Sequence, residues 1–140
     1  MKHEVSSGAV VFTRKENDVY FVIVKSLEGN YGFPKGHIEG METEKETALR
    51  EIYEEIGIRP QIIDGFRTMD EYIIPNKEET IKKVIYFVAE YDNQQICYQE
   101  EELDGAYLIK YEDAMEVLNF DSSKRILSEA KDFIEKISIC

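Results

Sequence analysis

The chain has little cysteine, little basic charge and no long apolar run, and each shortage removes a class of protein. Its two cysteines, Cys97 and Cys140, lie far apart with neither metal-ligand spacing nor a framework pattern, which points to free thiols rather than a disulfide. Only 17 basic residues face 29 acidic ones, a formal charge of −12, which argues against a broad electrostatic footprint on DNA or RNA. No stretch approaches the ~20 apolar residues of a membrane span, and the charged start Met1-Lys2-His3-Glu4 leads into no secretory hydrophobic region. A cytoplasmic protein without membrane contact is expected. There is no repeat, linker or low-complexity segment, and 140 residues can bury one good core but not two ordinary ones. The chain reads as one domain, 1–140.

What is there is concentrated between Gly36 and Ile58, GHIEGMETEKETALREIYEEIGI. Thr43 followed by Glu46 is a capping box, and Gly57 stands where a left-handed C-terminal residue is needed, so the sequence predicts a helix from about Glu44 to Ile56. Ala48, Leu49, Ile52 and Ile56 recur at helical spacing as an apolar stripe, while Glu51, Glu54 and Glu55 sit at i, i+3 and i+4 on a neighbouring flank. Like charges so placed repel. A bound cation relieves that repulsion, and hard carboxylate oxygens suit Mg²⁺ or Mn²⁺. A solvated acidic helix face is the alternative that three glutamates alone would favour. The loop Tyr31-Gly32-Phe33-Pro34-Lys35-Gly36-His37 that runs into the helix shifts the balance, because its glycines permit close backbone approach and Pro34 stiffens the turn. Phosphates fit such a loop.

Strands are predicted at Glu4–Thr13 and Val19–Lys25 around a polar turn, Arg14 to Asp18, with Val19 to Val24 apolar enough to be buried on both faces. Gln61 to Ile74 reads as a strand bent near Gly65, followed by the turn Pro75–Thr80 and a strand from Ile81 to Tyr91, the pair resembling a long hairpin. Ala106–Ile109 is a short strand, Glu112–Leu118 a short helix, and Ser123–Ile137 a longer helix with Ile126, Leu127, Ala130, Phe133, Ile134 and Ile137 on one face. Interleaved strands and helices indicate an α/β protein, an α/β/α sandwich around a central mixed sheet.

Gly36, five residues, Glu42, seven residues, then Arg50-Glu51-Ile52-Tyr53-Glu54-Glu55-Ile56-Gly57-Ile58 resembles a complete Nudix box, with a loop–helix–loop context to match. The resemblance implies the same sandwich fold and an enzyme that cleaves a pyrophosphate bond in a nucleoside diphosphate derivative with Mg²⁺, or Mn²⁺ in its place, and an attacking water. It implies Glu54 and Glu55 as principal metal ligands, Glu51 as a further ligand or the base, and a backbone carbonyl at Lys35 or Gly36 as an additional ligand. Arg50 would orient a box glutamate, and Glu42 would brace the loop. One more carboxylate is expected from outside the box; among Glu100, Glu101 and Glu102 the candidates are Glu101 and Glu102.

The Pro34-Lys35-Gly36-His37 turn, with Asp64 to Arg67 and Lys83 to Glu90, looks like the asymmetric dinucleoside tetraphosphate hydrolases. Lys35 and His37 would contact the phosphate chain, a cation and a donor near the charge to be balanced. Strand alternation puts Lys82, Val84, Tyr86 and Val88 on one face and Lys83, Ile85, Phe87 and Ala89 on the other. The resemblance makes Tyr86 a candidate to stack on a nucleobase beside Lys82, with Lys83 close by; core packing is the competing reading. Tyr31 stands where these hydrolases often carry tryptophan. The expected partner is a small nucleotide or polyphosphate, taken by a monomer or homodimer. Alternatives are a nucleoside triphosphate or oxidised-nucleotide pyrophosphatase, a diphosphoinositol polyphosphate hydrolase, an enzyme trimming RNA 5′ ends, and a ligand-sensing domain without catalysis.

Overall fold

The computed structural model describes residues 2–75 and 79–138, so residues 76–78 of the expected turn, and Cys140, lie outside the described residues. Strands β1 (Lys2–Lys15) and β2 (Asp18–Ser26) form a hairpin whose tip, Glu16 and Asn17, takes φ of 52° and 70°. Positive φ at both tip residues matches the twist of the flanking strands. Two short strands that the sequence reads only as loop follow, β3 (Tyr31–Gly32) against the end of β2 and β4 (Lys35–His37) against the start of β1. Their approach depends on Gly8. A Cβ there would lie 2.1 Å from the Pro34 carbonyl oxygen, a backbone atom that cannot step aside cheaply.

Helix α1 (Glu44–Ile56) has the limits its capping signals predict. The Thr43 hydroxyl accepts from the Glu46 N–H at 3.1 Å, the Glu46 carboxylate accepts from the Thr43 N–H at 2.8 Å, and Gly57 closes the helix at φ 71°. Thr47, Ala48, Ile52 and Ile56 are buried, each fully buried isoleucine contributing about 1.5–3 kcal/mol. Leu49 departs from the expected stripe: it is 38% exposed, because 100° of rotation beyond Ala48 carries it off the contact face.

The single bent strand expected from Gln61 to Ile74 is two, β5 (Gln61–Ile62) and β6 (Thr68–Ile73), separated around Gly65 at φ 106°. Strand β7 (Thr80–Glu90) pairs antiparallel with both, giving the long hairpin with β6, and runs parallel to β1 from Lys2↔Thr80 to Phe12↔Glu90. Strand β8 (Leu103–Ile109) begins earlier than its sequence suggests, since pairing with β2 carries Leu103 and Gly105 into the ladder, with Asp104 the extra residue at a register shift between them. Helices α2 (Tyr111–Val117) and α3 (Asp121–Ile137) complete the chain.

The result is an eight-stranded mixed sheet between two helical layers. On one face Ala48, Ile52 and Ile56 of α1 pack on Ala9, Val11, Val22, Val24, Ile85, Phe87 and Ala89; on the other, α2 and α3 cover Val10, Phe12, Phe21, Ile23, Val84, Tyr86 and Val88. The middle stretches of β1, β2 and β7 are buried on both faces, which the unbroken apolar run Val19 to Val24 predicts for β2. Among the described residues no helix is long and apolar enough to cross a membrane.

Candidate active site

Of the three candidate ligands on α1, Glu51, Glu54 and Glu55, the fold brings two together. Glu51 and Glu55 are one turn apart and converge with Glu102, an oxygen from each lying within 4.8 Å of the others; among the described residues this is the one such group of metal-ligating side chains. Glu54 faces elsewhere, 47% exposed, where it accepts from Arg50 Nη1 at 2.8 and 3.3 Å. Glu102 arrives on a strap with no regular structure of its own. The Cys97 N–H donates to the Ile56 carbonyl at 2.9 Å and the Gln99 N–H to the Glu55 carbonyl at 3.0 Å, so the strap satisfies two carbonyls that the end of α1 leaves open. Leu103, 5% exposed, anchors the next residue in the core. Glu101 and Glu100 stay outside the cluster.

The cluster is crowded and partly dry. Burial first, then the charges of Glu51 and Glu102, pushes the Glu55 carboxyl up to about 8, against the Lys35 N–H, which donates to Glu55 Oε1 at 3.3 Å. Burial also raises Glu51, although Arg50 Nη1 donates to its Oε2 at 2.8 Å. Gly36 is required here, since a Cβ would sit 2.0 Å from the Glu51 carboxyl carbon. Arg50 is a hub: Nε and Nη2 donate to Glu42 at 2.6 and 3.0 Å, Nη2 also to the His37 carbonyl at 2.9 Å, and Nη1 to Glu51 and Glu54. Those bonds hold the Glu42 carboxyl down at about 2. One guanidinium thereby ties the loop of β4 to two carboxylates of α1.

The second region is the sheet face that α2 and α3 leave open. Register sets Glu4, Ser6 and Gly8 of β1, His37 and Lys35 of β4, Lys82, Val84 and Tyr86 of β7 and Thr68, Asp70 and Tyr72 of β6 on this side. Lys82 Nζ is 3.3 Å from His37 Nε2, which lies 3.9 Å from Glu4 Oε1. Lys83 points to the opposite face, where its charge acts on Glu44. Tyr86 requires a correction. It is 6% exposed, edge-on to Phe33 with ring centres 5.5 Å apart, and burial drives its hydroxyl well above the usual tyrosine range. Core packing has claimed it, whereas Tyr72 of this face is 42% exposed and directly across from Lys82. Sequence reasoning passed over Tyr72; the signal was the alternation of β6, readable only once its pairing with β7 is known. Tyr31 is half-buried, its N–H donating to Asn119 Oδ1 at 2.7 Å, while Ser122 Oγ donates to Asp70 Oδ2 at 3.0 Å. The exposed ring of Phe120 lies between these two anchors in sequence.

A helix-borne carboxylate pair completed by a strap, beside a glycine loop and an open cationic face, is a combination that can be compared with known proteins. The NUDIX domain model matches residues 2–130. The chain belongs to the NUDIX family. It is 30% identical over 139 residues to the asymmetrical bis(5′-nucleosyl)-tetraphosphatase of Mus musculus, covering 91% of this chain and 92% of that protein, and 30% identical over 139 residues to the Sus scrofa protein of the same name. Among solved structures, a C. elegans Ap4A hydrolase binary complex superimposes with a TM-score of 0.86 at 21% identity, covering 95% of this chain and 98% of that one. The NUDIX domain of Shewanella oneidensis NrtR complexed with ADP ribose shares the fold at a TM-score of 0.76 and 17% identity.

As a NUDIX hydrolase the chain has the divalent-metal chemistry of its family to house, and the residues present fit it. Three carboxylates, two of them half-buried and raised first by desolvation and then by neighbouring carboxylates, offer hard oxygens in a space one cation can share. The neighbouring open face carries the cationic and donor side chains of Lys35, His37 and Lys82.

Proposed function

We propose that this chain is a Mg²⁺-dependent hydrolase of dinucleoside tetraphosphates, built as one NUDIX domain with its box at 36–58 and acting in the cytoplasm on a small-molecule substrate. The observation that carries the reading is the convergence of Glu51, Glu55 and Glu102 beside the Lys35–His37 strand. Similarity over the length of the chain to asymmetrical tetraphosphatases supports the substrate.

Glu51, Glu55 and Glu102 would hold Mg²⁺, with the carbonyls at Lys35 and Gly36 near enough in sequence to contribute. The cation would supply charge neutralisation at the phosphate oxygens and a lowered proton affinity for the attacking water. The protein does the rest. Arg50 keeps Glu51 and Glu54 oriented while bracing the loop through Glu42 and the His37 carbonyl. Glu51, which Arg50 orients, is the further ligand or the base that takes the water proton. Lys35, His37 and Lys82 bind the phosphate chain, and Tyr72, exposed across from Lys82, stacks on a base.

The test is a substrate panel with Mg²⁺: diadenosine tetraphosphate, nucleoside triphosphates including oxidised ones, a diphosphoinositol polyphosphate, ADP-ribose. The expected result is preferential conversion of diadenosine tetraphosphate to AMP and ATP, with Tyr72→Ala raising KM about tenfold from the loss of one stacking contact. Preference for an oxidised triphosphate, or no turnover of any member, overturns the proposal.

A further inference from the structure

The open face has aromatic rings at two rims. Tyr72 occupies the β6 rim; at the other, Tyr31 of β3 and Tyr107 of β8 lie with ring centres 6.2 Å apart at 45°. Both belong to this face by register, because Lys25 pairs with Tyr31, and Ile23 and Lys25 pair with Tyr107 and Gly105. Tyr107 is 43% exposed although it is a large ring in a paired strand. Gly105 is part of the reason. A Cβ there would meet Tyr107 Oη at 2.6 Å, so the ring lies back along β8 over a residue with no side chain. Lys25 Nζ stands 5.7 Å from the centre of the Tyr31 ring and 3.8 Å from Asp104, and the Asn119 side chain fixes Tyr31 from behind through its backbone N–H.

Between the rims the ladders β6–β7–β1–β4 span three strand spacings, roughly 14 Å at ~4.8 Å each, and β3, which pairs with β2, adjoins β4 through Phe33 and Pro34. The cationic and donor side chains Lys82, His37 and Lys35 lie along it. The β8 rim is also the one beside the acid cluster, since Glu102 immediately precedes β8 and the Lys35 N–H touches Glu55. Two ring platforms joined by a polar track match a ligand with an aromatic group at each end and anionic charge between them.

We infer that Tyr31 and Tyr107 form a second base platform, which takes the other nucleoside of a dinucleoside polyphosphate. The inference rests on the proposed function and deepens it. Tyr107 supplies the stacking surface, and Lys25 adds a charge beside the ring that a ribose or terminal phosphate meets.

The experiment compares diadenosine tetraphosphate with adenosine 5′-tetraphosphate, which has the same phosphates and one nucleoside fewer. Tyr107→Ala is expected to raise the KM ratio of the first substrate to the second about tenfold, the loss of one base–ring stack, and Tyr107→Phe to restore it. Circular dichroism checks that the variants are folded. If wild type hydrolyses both substrates and the ratio is the same in Tyr107→Ala, the second platform is refuted while the proposed function stands. If wild type hydrolyses neither, the proposed function falls and the platform with it.

Discussion

Replacing Gly36 with alanine tests the geometry of the acid cluster through one methyl group. The added Cβ would lie 2.0 Å from Glu51 Cδ and 2.2 and 2.3 Å from its two oxygens, where real contacts stay beyond 3.0 Å. Gly36 does not have a positive φ, so alanine suits the backbone, and the obstacle is the end of a flexible side chain. The carboxylate therefore yields by about 1 Å or more, and the fold persists. Mg²⁺–oxygen bonds of about 2.0–2.1 Å tolerate a few tenths of an ångström, so the displaced Glu51 ceases to be a ligand. We expect Mn²⁺ affinity to fall about 10–100-fold and turnover about 100-fold, with an unaltered circular dichroism spectrum. Manganese titration followed by electron paramagnetic resonance reads the first quantity directly. Combining Gly36→Ala with Glu51→Gln should add little to either change alone, because both remove the same group. Wild-type Mn²⁺ affinity in folded Gly36→Ala would refute the reasoning.

Glu55→Gln should cost orders of magnitude in rate, and raise the thermal stability of the metal-free protein near pH 8. The sign follows from its carboxyl, which folding raises from 4.5 to about 8. Between those values the folded state keeps a proton that the unfolded chain has lost, so stability present below pH 4.5 is lost as pH rises towards 8, at up to about 1.4 kcal/mol per unit. Urea denaturation across that range should show the decline in metal-free wild type, a shallower one in Glu55→Gln, and a gain on adding Mn²⁺. Tyr86→Ala should destabilise by about 3–5 kcal/mol as a core truncation, whereas Tyr86→Phe should leave KM within twofold. A raised KM in folded Tyr86→Phe would return its hydroxyl to the binding site.

Local signals made much of this molecule legible from sequence. The limits of α1 were written in Thr43, Glu46 and Gly57, whose interactions are all within a few residues. The alternation of β7 separated its two faces correctly, because a period of two survives whatever the partner strand is. What escaped depends on distant partners. Strands β3 and β4 are too short to show a period and exist through ladders to β2 and β1 and the space left by Gly8. Tyr86 and Tyr72 have similar local settings, and only α3 and Phe33, far along the chain, decide which is covered. Likewise the choice among Glu100, Glu101 and Glu102 was made by the strap hydrogen bonds to the end of α1.

The most direct test is hydrolysis of diadenosine tetraphosphate by protein stripped with EDTA, with Mg²⁺ then restored, for wild type and Glu55→Gln. The account predicts no turnover without the cation, recovery on its return in wild type, and none in folded Glu55→Gln. Turnover in EDTA, or equal recovery in both proteins, would contradict it.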